Sequence, residues 1–258
     1  MSDMFVRTGE LKDLRSYPKW AQELVEACEP AKRRVLEHPI WGMMREGTLP
    51  EESMSRFILS AWQVIEQFPQ YMAMSLLKAR YGTNRGQHLA RRWLVRNIRV
   101  EQNHADYWLD WAEAVGVPRS KVLADKPSAE ACVLSNWCWH ACDSESLAAS
   151  MVTTNFAVEG ITGEWALLVT QEDIYAYGFD ARIRAKAMRW LKLHAEYDDT
   201  HPWEALDIVC SLIGTHPSDD VTDKLTACVR NTYTYKFMAL QYCMEGAQAT
   251  VLQRAAAA

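Results

Sequence analysis

Pro50-Glu51-Glu52-Ser53-Met54-Ser55-Arg56-Phe57-Ile58-Leu59-Ser60-Ala61-Trp62-Gln63-Val64-Ile65-Glu66-Gln67-Phe68 reads as a helix from its first residue. Proline needs no N–H in a first turn, and Glu51 and Glu52 sit where the helix dipole is positive. Phe57, Ala61, Val64, Ile65, Phe68 and Met72 then fall on one stripe, the period of a helix that buries one face. The segment runs towards Tyr81-Gly82. The same pattern repeats on both sides. Upstream, Trp20 to Glu37 is amphipathic and is closed by His38-Pro39. Downstream, Thr83 or Asn84 caps a third helix that continues to Val115 and stops at Gly116-Val117-Pro118. Pro127 and Ser128 begin a fourth, reaching Ser146, and a fifth spans Ala148 to Thr170. A sixth runs from Ala181 to His201-Pro202, a seventh from Trp203 to Ile213 before Gly214, and Ser218 caps the last, down to Gly246. Sustained period-2 alternation and Asn-Gly hairpin signals are absent. The expectation is an all-α, single-domain bundle of seven to eight helices over residues 1–254, with the closing Ala255 to Ala258 run set aside as a frayed or appended tail.

Composition narrows the class. The chain has 258 residues, of which 49% are hydrophobic and 24% charged, with a formal net charge of −5. That is the balance of a globular domain with a sizeable core and excludes disorder. No basic face suggests nucleic acid, no apolar run approaches the ~20 residues of a membrane span, and the polar N-terminus lacks a secretory h-region. The seven cysteines contain no CxxC pair and read as reduced thiols of a cytoplasmic protein.

Three pieces carry chemistry. Glu101-Gln102-Asn103-His104, in the middle of the third helix, places an acid and an imidazole three residues apart on one face. In His194-Ala195-Glu196-Tyr197-Asp198-Asp199-Thr200-His201, the residues His194, Asp198 and His201 share a stripe at i, i+4, i+7, while Glu196 and Asp199 turn away. Glu159 lies in an apolar stretch, where a carboxylate needs a partner, with Glu164 as its rival. The plainer alternatives are a solvated Glu101 and His104 near Arg96, Arg99 and Asp106, and core histidines at 194 and 201. His140, between Cys138 and Cys142, lacks a zinc pattern. His38 and His216 precede prolines and read as helix terminators. Imidazole with carboxylate and no thiolate suits iron or manganese. Three carboxylates against two divalent ions leave about +1, which a monoanionic acid would neutralise. Because His201 precedes Pro202, the helix should fray there, and the ion held by Asp198 and His201 is expected to be the more labile.

Taken together, Glu101-x-x-His104, Glu159 and His194-x3-Asp198-x2-His201 resemble the ligand set of the heme-oxygenase-like di-iron oxidases, which share their scaffold with the thiaminase-II (TenA) and pyrroloquinoline-quinone-synthase (PqqC) proteins. The resemblance covers essentially the whole chain. Within that group, the length and the context of His194 and Glu159 are similar to the UndA-type decarboxylases. The resemblance implies two Fe(II) ions, one held by Glu101, His104 and His194 and the other by Glu159, Asp198 and His201. It implies O2 as co-substrate, an external reductant from an unidentified electron donor, and a tendency to form homo-oligomers. The reaction implied is removal of a hydrogen beta to the carboxylate of a medium-chain fatty acid such as dodecanoic acid, with loss of CO2 and formation of a terminal 1-alkene. Phe68, Tyr71, Met72, Trp190, Leu193, Phe237 and Leu240 fall on stripes suited to line the cavity for its tail.

Three rivals stand beside this reading. A related oxidase that N-oxygenates or cleaves an amino-acid-derived substrate would use the same ligands but a polar pocket with an Arg or Lys clamp. A metal-free thiaminase-II-like hydrolase would need a nucleophilic cysteine, Cys138 or Cys142. A non-catalytic regulator would expose an apolar patch and hold no metal.

Overall fold

The computed structural model describes residues 4–82, 84–124, 126–197 and 200–256. Thr83, Asp198 and Asp199 lie outside the described residues. The first third of the chain forms α1 (Lys19–Leu36), α2 (Pro39–Arg45), α3 (Glu51–Ile65) and α4 (Phe68–Lys78). Then come α5 (Arg85–Glu101), α6 (His104–Ala114), α7 (Arg119–Ala124), α8 (Ala129–Ser144) and α9 (Leu147–Met151). The last third holds α10 (Glu159–Thr170), α11 (Ile174–Tyr177), α12 (Ala181–Tyr197), α13 (His201–Ile213) and α14 (Asp219–Ala256). The described residues include no strand, and none of their helices is long and apolar enough to cross a membrane.

The long helix α14 packs against α1, α3 and α8, while α10 packs on α12, α12 on α6, and α13 on α5. One continuous core runs through these layers, with Phe57, Trp108, Trp111, Trp165 and Trp190 at its centre. Capping follows the sequence. The Asn84 side chain accepts the Gln87 N–H, Ser128 accepts that of Ala131, and α13 ends on Gly214, whose φ of +90° belongs to the region glycine adopts freely.

The structure divides several helices that the periodicity joins. The Pro50-initiated helix breaks at Glu66-Gln67, because Pro69 cannot donate to the Ile65 carbonyl. His38 does not merely end α1; it starts α2, its Nδ1 accepting the Ile40 N–H. The expected fifth helix contains a π-helical turn over residues 152–158, between α9 and α10. There Thr154 Oγ1 donates back to the Ser150 carbonyl at 2.9 Å, a contact that bends helices.

Candidate metal centre

The other two breaks fall inside the chemical motifs. Glu101 is the last residue of α5 and His104 the first of α6, with Gln102 and Asn103 forming a turn between them. The motif therefore straddles a joint rather than lying mid-helix. The turn keeps near-helical dihedrals, so the three-residue spacing still brings the side chains together, with His104 Nδ1 2.5 Å from Glu101 Oε2. Likewise α12 ends at Tyr197 and α13 starts at His201, with Pro202 in its first turn. His194 and His201 therefore sit on different helices, since Pro202 has no N–H with which to carry α12 onward and instead sits in the first turn of α13.

Four of the described candidate donors are buried, and His201 is 16% exposed. Glu101 is 7% exposed, His104 5%, Glu159 5% and His194 7%. Glu159 follows directly on the π-helical turn, a feature that concentrates at functional sites. Its Oε2 accepts from Asn155 Nδ2 at 3.0 Å, and its Oε1 lies 3.5 Å from His201 Nδ1. The rival Glu164 is half-exposed and ion-paired with Lys32 at 2.5 Å. The His194 ring stacks on Trp190 and lies 4.7 Å, centroid to centroid, from the His104 ring. Its Nδ1 is 2.8 Å from the Trp190 carbonyl. That contact fixes the proton on Nδ1 and leaves the Nε2 lone pair available. Asp198 is the one candidate donor that falls outside the described residues.

Burial and neighbouring charges shift the donors in different directions. Burial, helped by the His104 ring, pushes His194 down to about 3, so it is neutral and able to ligate at neutral pH. Burial raises the Glu159 carboxyl, with Glu101 adding to the shift and His201 opposing it. Burial alone would lower His201, but Glu159 beside it reverses the sign, and the imidazole is raised.

Glu101, His104, Glu159 and His194 open onto one cavity. Its remaining wall is mainly apolar, from Phe57, Ile65, Phe68, Trp165, Trp190 and Leu240. Of the expected lining residues, Phe68, Trp190 and Leu240 take that role. Tyr71 is fully buried instead, its hydroxyl 2.9 Å from Ser135 Oγ, and Phe237 packs edge-on against His38. One charged lining residue was not read from the sequence: Lys236 lines the cavity from α14, together with Ala239, Leu240 and Cys243. The i, i+3, i+4, i+7 spacing of those four was the available signal.

These donors suit iron in kind, since buried imidazoles and carboxylates without thiolate favour it. The buried His104 Nδ1 and Glu159 Oε1 make no hydrogen bond of good geometry, which leaves ligating atoms uncommitted. Among the described residues, no three acid, histidine or cysteine side chains close on a common point. The donors are instead turned on one another as two acid–imidazole pairs, Glu101–His104 and Glu159–His201.

Comparison with known proteins agrees with the fold and with iron. The crystal structure of a TenA homologue from Pseudomonas syringae pv. tomato str. DC3000 matches with a TM-score of 0.92 and 45% identity, over 94% of this chain and 100% of that one. A domain of unknown function with a heme-oxygenase-like fold, from Shewanella denitrificans OS217, matches with a TM-score of 0.67 over 87% of this chain and 91% of that one. At 12% identity it speaks for the fold alone. A 4-aminobenzoate synthase of Chlamydia muridarum (strain MoPn / Nigg) is 30% identical over 125 residues, 46% of this chain. The chain thus matches 50% of the length of that curated relative. Residues 55–233 match the model of the heme-oxygenase-like family described as iron-containing redox enzymes, and the chain belongs to that family.

Proposed function

We propose that this protein is an O2-dependent iron oxidase of a carboxylic acid with an apolar body, and that its reaction is decarboxylation of a medium-chain fatty acid such as dodecanoic acid to the terminal alkene. The observation that carries the reading is the cavity: four candidate iron donors at one end and an aromatic and aliphatic wall beyond them. In this reading Glu101, His104 and His194 hold one Fe(II), and Glu159, Asp198 and His201 the other. Bound iron supplies the one-electron chemistry with O2. Conversion of the acid to alkene and CO2 releases two electrons, and reduction of O2 to water takes four, so an external reductant provides the remaining two.

The chain's own residues bind, orient and exclude water. The Trp190 carbonyl holds the proton of His194 on Nδ1. Asn155 orients Glu159 by donating to one carboxylate oxygen, leaving the other towards His201. Trp165, Trp190, Phe57 and Phe68 form a dry wall that receives the alkyl body and sets the acid end against the donors.

A related oxidase that N-oxygenates or cleaves an amino-acid-derived substrate is the second reading, and Lys236 in the cavity together with the likeness to a 4-aminobenzoate synthase favours it. A metal-free thiaminase-like hydrolase is the third, favoured by the likeness to a TenA homologue and opposed by the state of the cysteines. Burial raises Cys138 far above an ordinary thiol and pushes Cys142 and the cavity-lining Cys243 to about 11, so none of the three is an activated nucleophile.

Anaerobic Fe(II) titration, followed by mixing with O2 with and without dodecanoic acid, tests the proposal. Binding of about two irons and acid-dependent 1-undecene in the headspace is the expected result. Iron binding and O2 consumption with no alkene from any fatty acid would retain the oxidase and remove the decarboxylation. Failure to bind iron would overturn both.

A further inference from the structure

Among the described residues, Lys236 has no acid to pair with. It reaches into the cavity from α14, and no described carboxylate makes an ion pair with it. Its ammonium lies 5.6 Å from the centroid of Trp165 and 5.9 Å from that of Phe57, over ring faces that attract a cation but do not neutralise it. From His194 the wall runs through Trp190, stacked at 3.7 Å, to Trp165 at 5.5 Å from Trp190, and only then to Lys236. Neither Glu101 nor Glu159 is among the groups acting on Lys236, which places the lysine apart from the donors. Burial has brought its ammonium down to about 8, and the only titratable neighbours that raise it are the Cys243 and Cys138 thiols. A plain alkyl chain laid against this group would leave a cation in an apolar cavity without a counter-charge, which is costly.

We propose that Lys236 makes the cavity a two-ended site for an acid carrying a second anionic group, with one carboxylate at the donor end and the other on the Lys236 ammonium beside Trp165 and Phe57. This rests on the proposed function in one respect, that the first carboxylate goes to the donors. It changes the substrate class from a simple fatty acid to a dicarboxylic acid or an equivalently charged amphiphile. The charges agree: three ligand carboxylates and two Fe(II) leave about +1, and the ammonium adds one more, so a dianion neutralises both ends.

The test is calorimetric titration of the anaerobic, iron-loaded protein with saturated monoacids and α,ω-diacids of eight to fourteen carbons, so that the span of the site need not be known beforehand. The best diacid should bind wild type about tenfold to a hundredfold more tightly than the best monoacid, the range of one charge-assisted hydrogen bond. Lys236→Met keeps an unbranched chain of similar reach, and should reverse the order. Lys236→Arg should retain the preference for diacids. Tighter binding of monoacids to wild type, or an unchanged ratio in Lys236→Met, overturns the proposal. So does loss of monoacid binding in Lys236→Met without a diacid preference, because Lys236 would then hold the single carboxylate. Binding is read without turnover, so absence of alkene would remove the decarboxylation reading and leave the selectivity result intact.

Discussion

The His194 imidazole stacks on the Trp190 indole with centroids 3.7 Å apart and planes 25° apart, and its Nδ1 meets the carbonyl of the same Trp190. One residue, a single turn earlier on α12, thus fixes both the plane and the tautomer of the ring. Trp190→Phe keeps the backbone contact and removes most of the stacking surface. It also removes an indole N–H that has no partner, which offsets part of the packing loss. Iron affinity is expected to fall about tenfold, measured by anaerobic Fe(II) titration, with the helical signal unchanged. Undiminished affinity would show that stacking does not position His194.

Glu159 is a buried carboxylate whose second oxygen makes no good hydrogen bond. Its value to the protein is therefore expected to appear only with metal bound. Glu159→Gln preserves shape and the acceptor for Asn155, and should leave the apoprotein as stable as wild type or more so. Iron should raise the melting temperature of wild type, as any ligand of the folded state does, and should raise that of the variant much less. Differential scanning fluorimetry with and without Fe(II) reads both.

Gly86 marks the closest approach of α5 to α13, the helices that carry Glu101 and His201. A Cβ there would lie 2.6 Å from the backbone of Ser211 and Leu212. Backbone atoms cannot rotate aside, so Gly86→Ala should cost about 1–3 kcal/mol in chemical denaturation despite alanine's better helix propensity. A stabilised variant would mean that the two helices part freely.

His38 gives the apoprotein a pH dependence of definite sign. Its buried ring accepts the Ile40 N–H at Nδ1, and the Gln241 carboxamide lies 3.0 Å from Nε2. Burial lowers it to about 4 from an ordinary 6.5. The unfolded chain then binds the proton more readily, so the stabilisation present above about 6.5 is lost as pH falls towards about 4. The slope is at most about 1.4 kcal/mol per pH unit. His38→Asn, which can still cap α2, should flatten the melting temperature over that window. Equal slopes in the two proteins would assign the acid sensitivity elsewhere.

The helical class, the caps Asn84 and Ser128 and the burial of Glu101, His104, Glu159 and His194 were legible in the sequence, because helix periodicity and acids in apolar stretches leave plain marks. Glu159 was distinguishable from Glu164 only by its apolar flanks, and the structure separates them, one buried against Asn155 and the other ion-paired with Lys32. The joints were not legible at Gln102-Asn103, where neither residue is a strong breaker and the dihedrals stay near-helical. The π-helical turn over residues 152–158 left no trace either, since one extra residue in a turn of small and β-branched side chains does not alter composition. Lys236 escaped because it stands among Tyr233, Tyr235 and Phe237, where a lone lysine reads as the solvated edge of an apolar run. Only the packing of α14 against α3 and α8 reveals that its face is an interior one.

Three of the five described candidate donors stand at the ends of helices: Glu101 closes α5, His104 opens α6 and His201 opens α13. Glu159 and His194 lie within helical runs. No isolated segment of the chain therefore presents a complete set, and the geometry comes into being when separate helices dock. With the proposed ligand set, iron capture would be a late event in the life of the polypeptide, a seal applied after folding, and occupancy of the centre would report that the whole bundle has assembled.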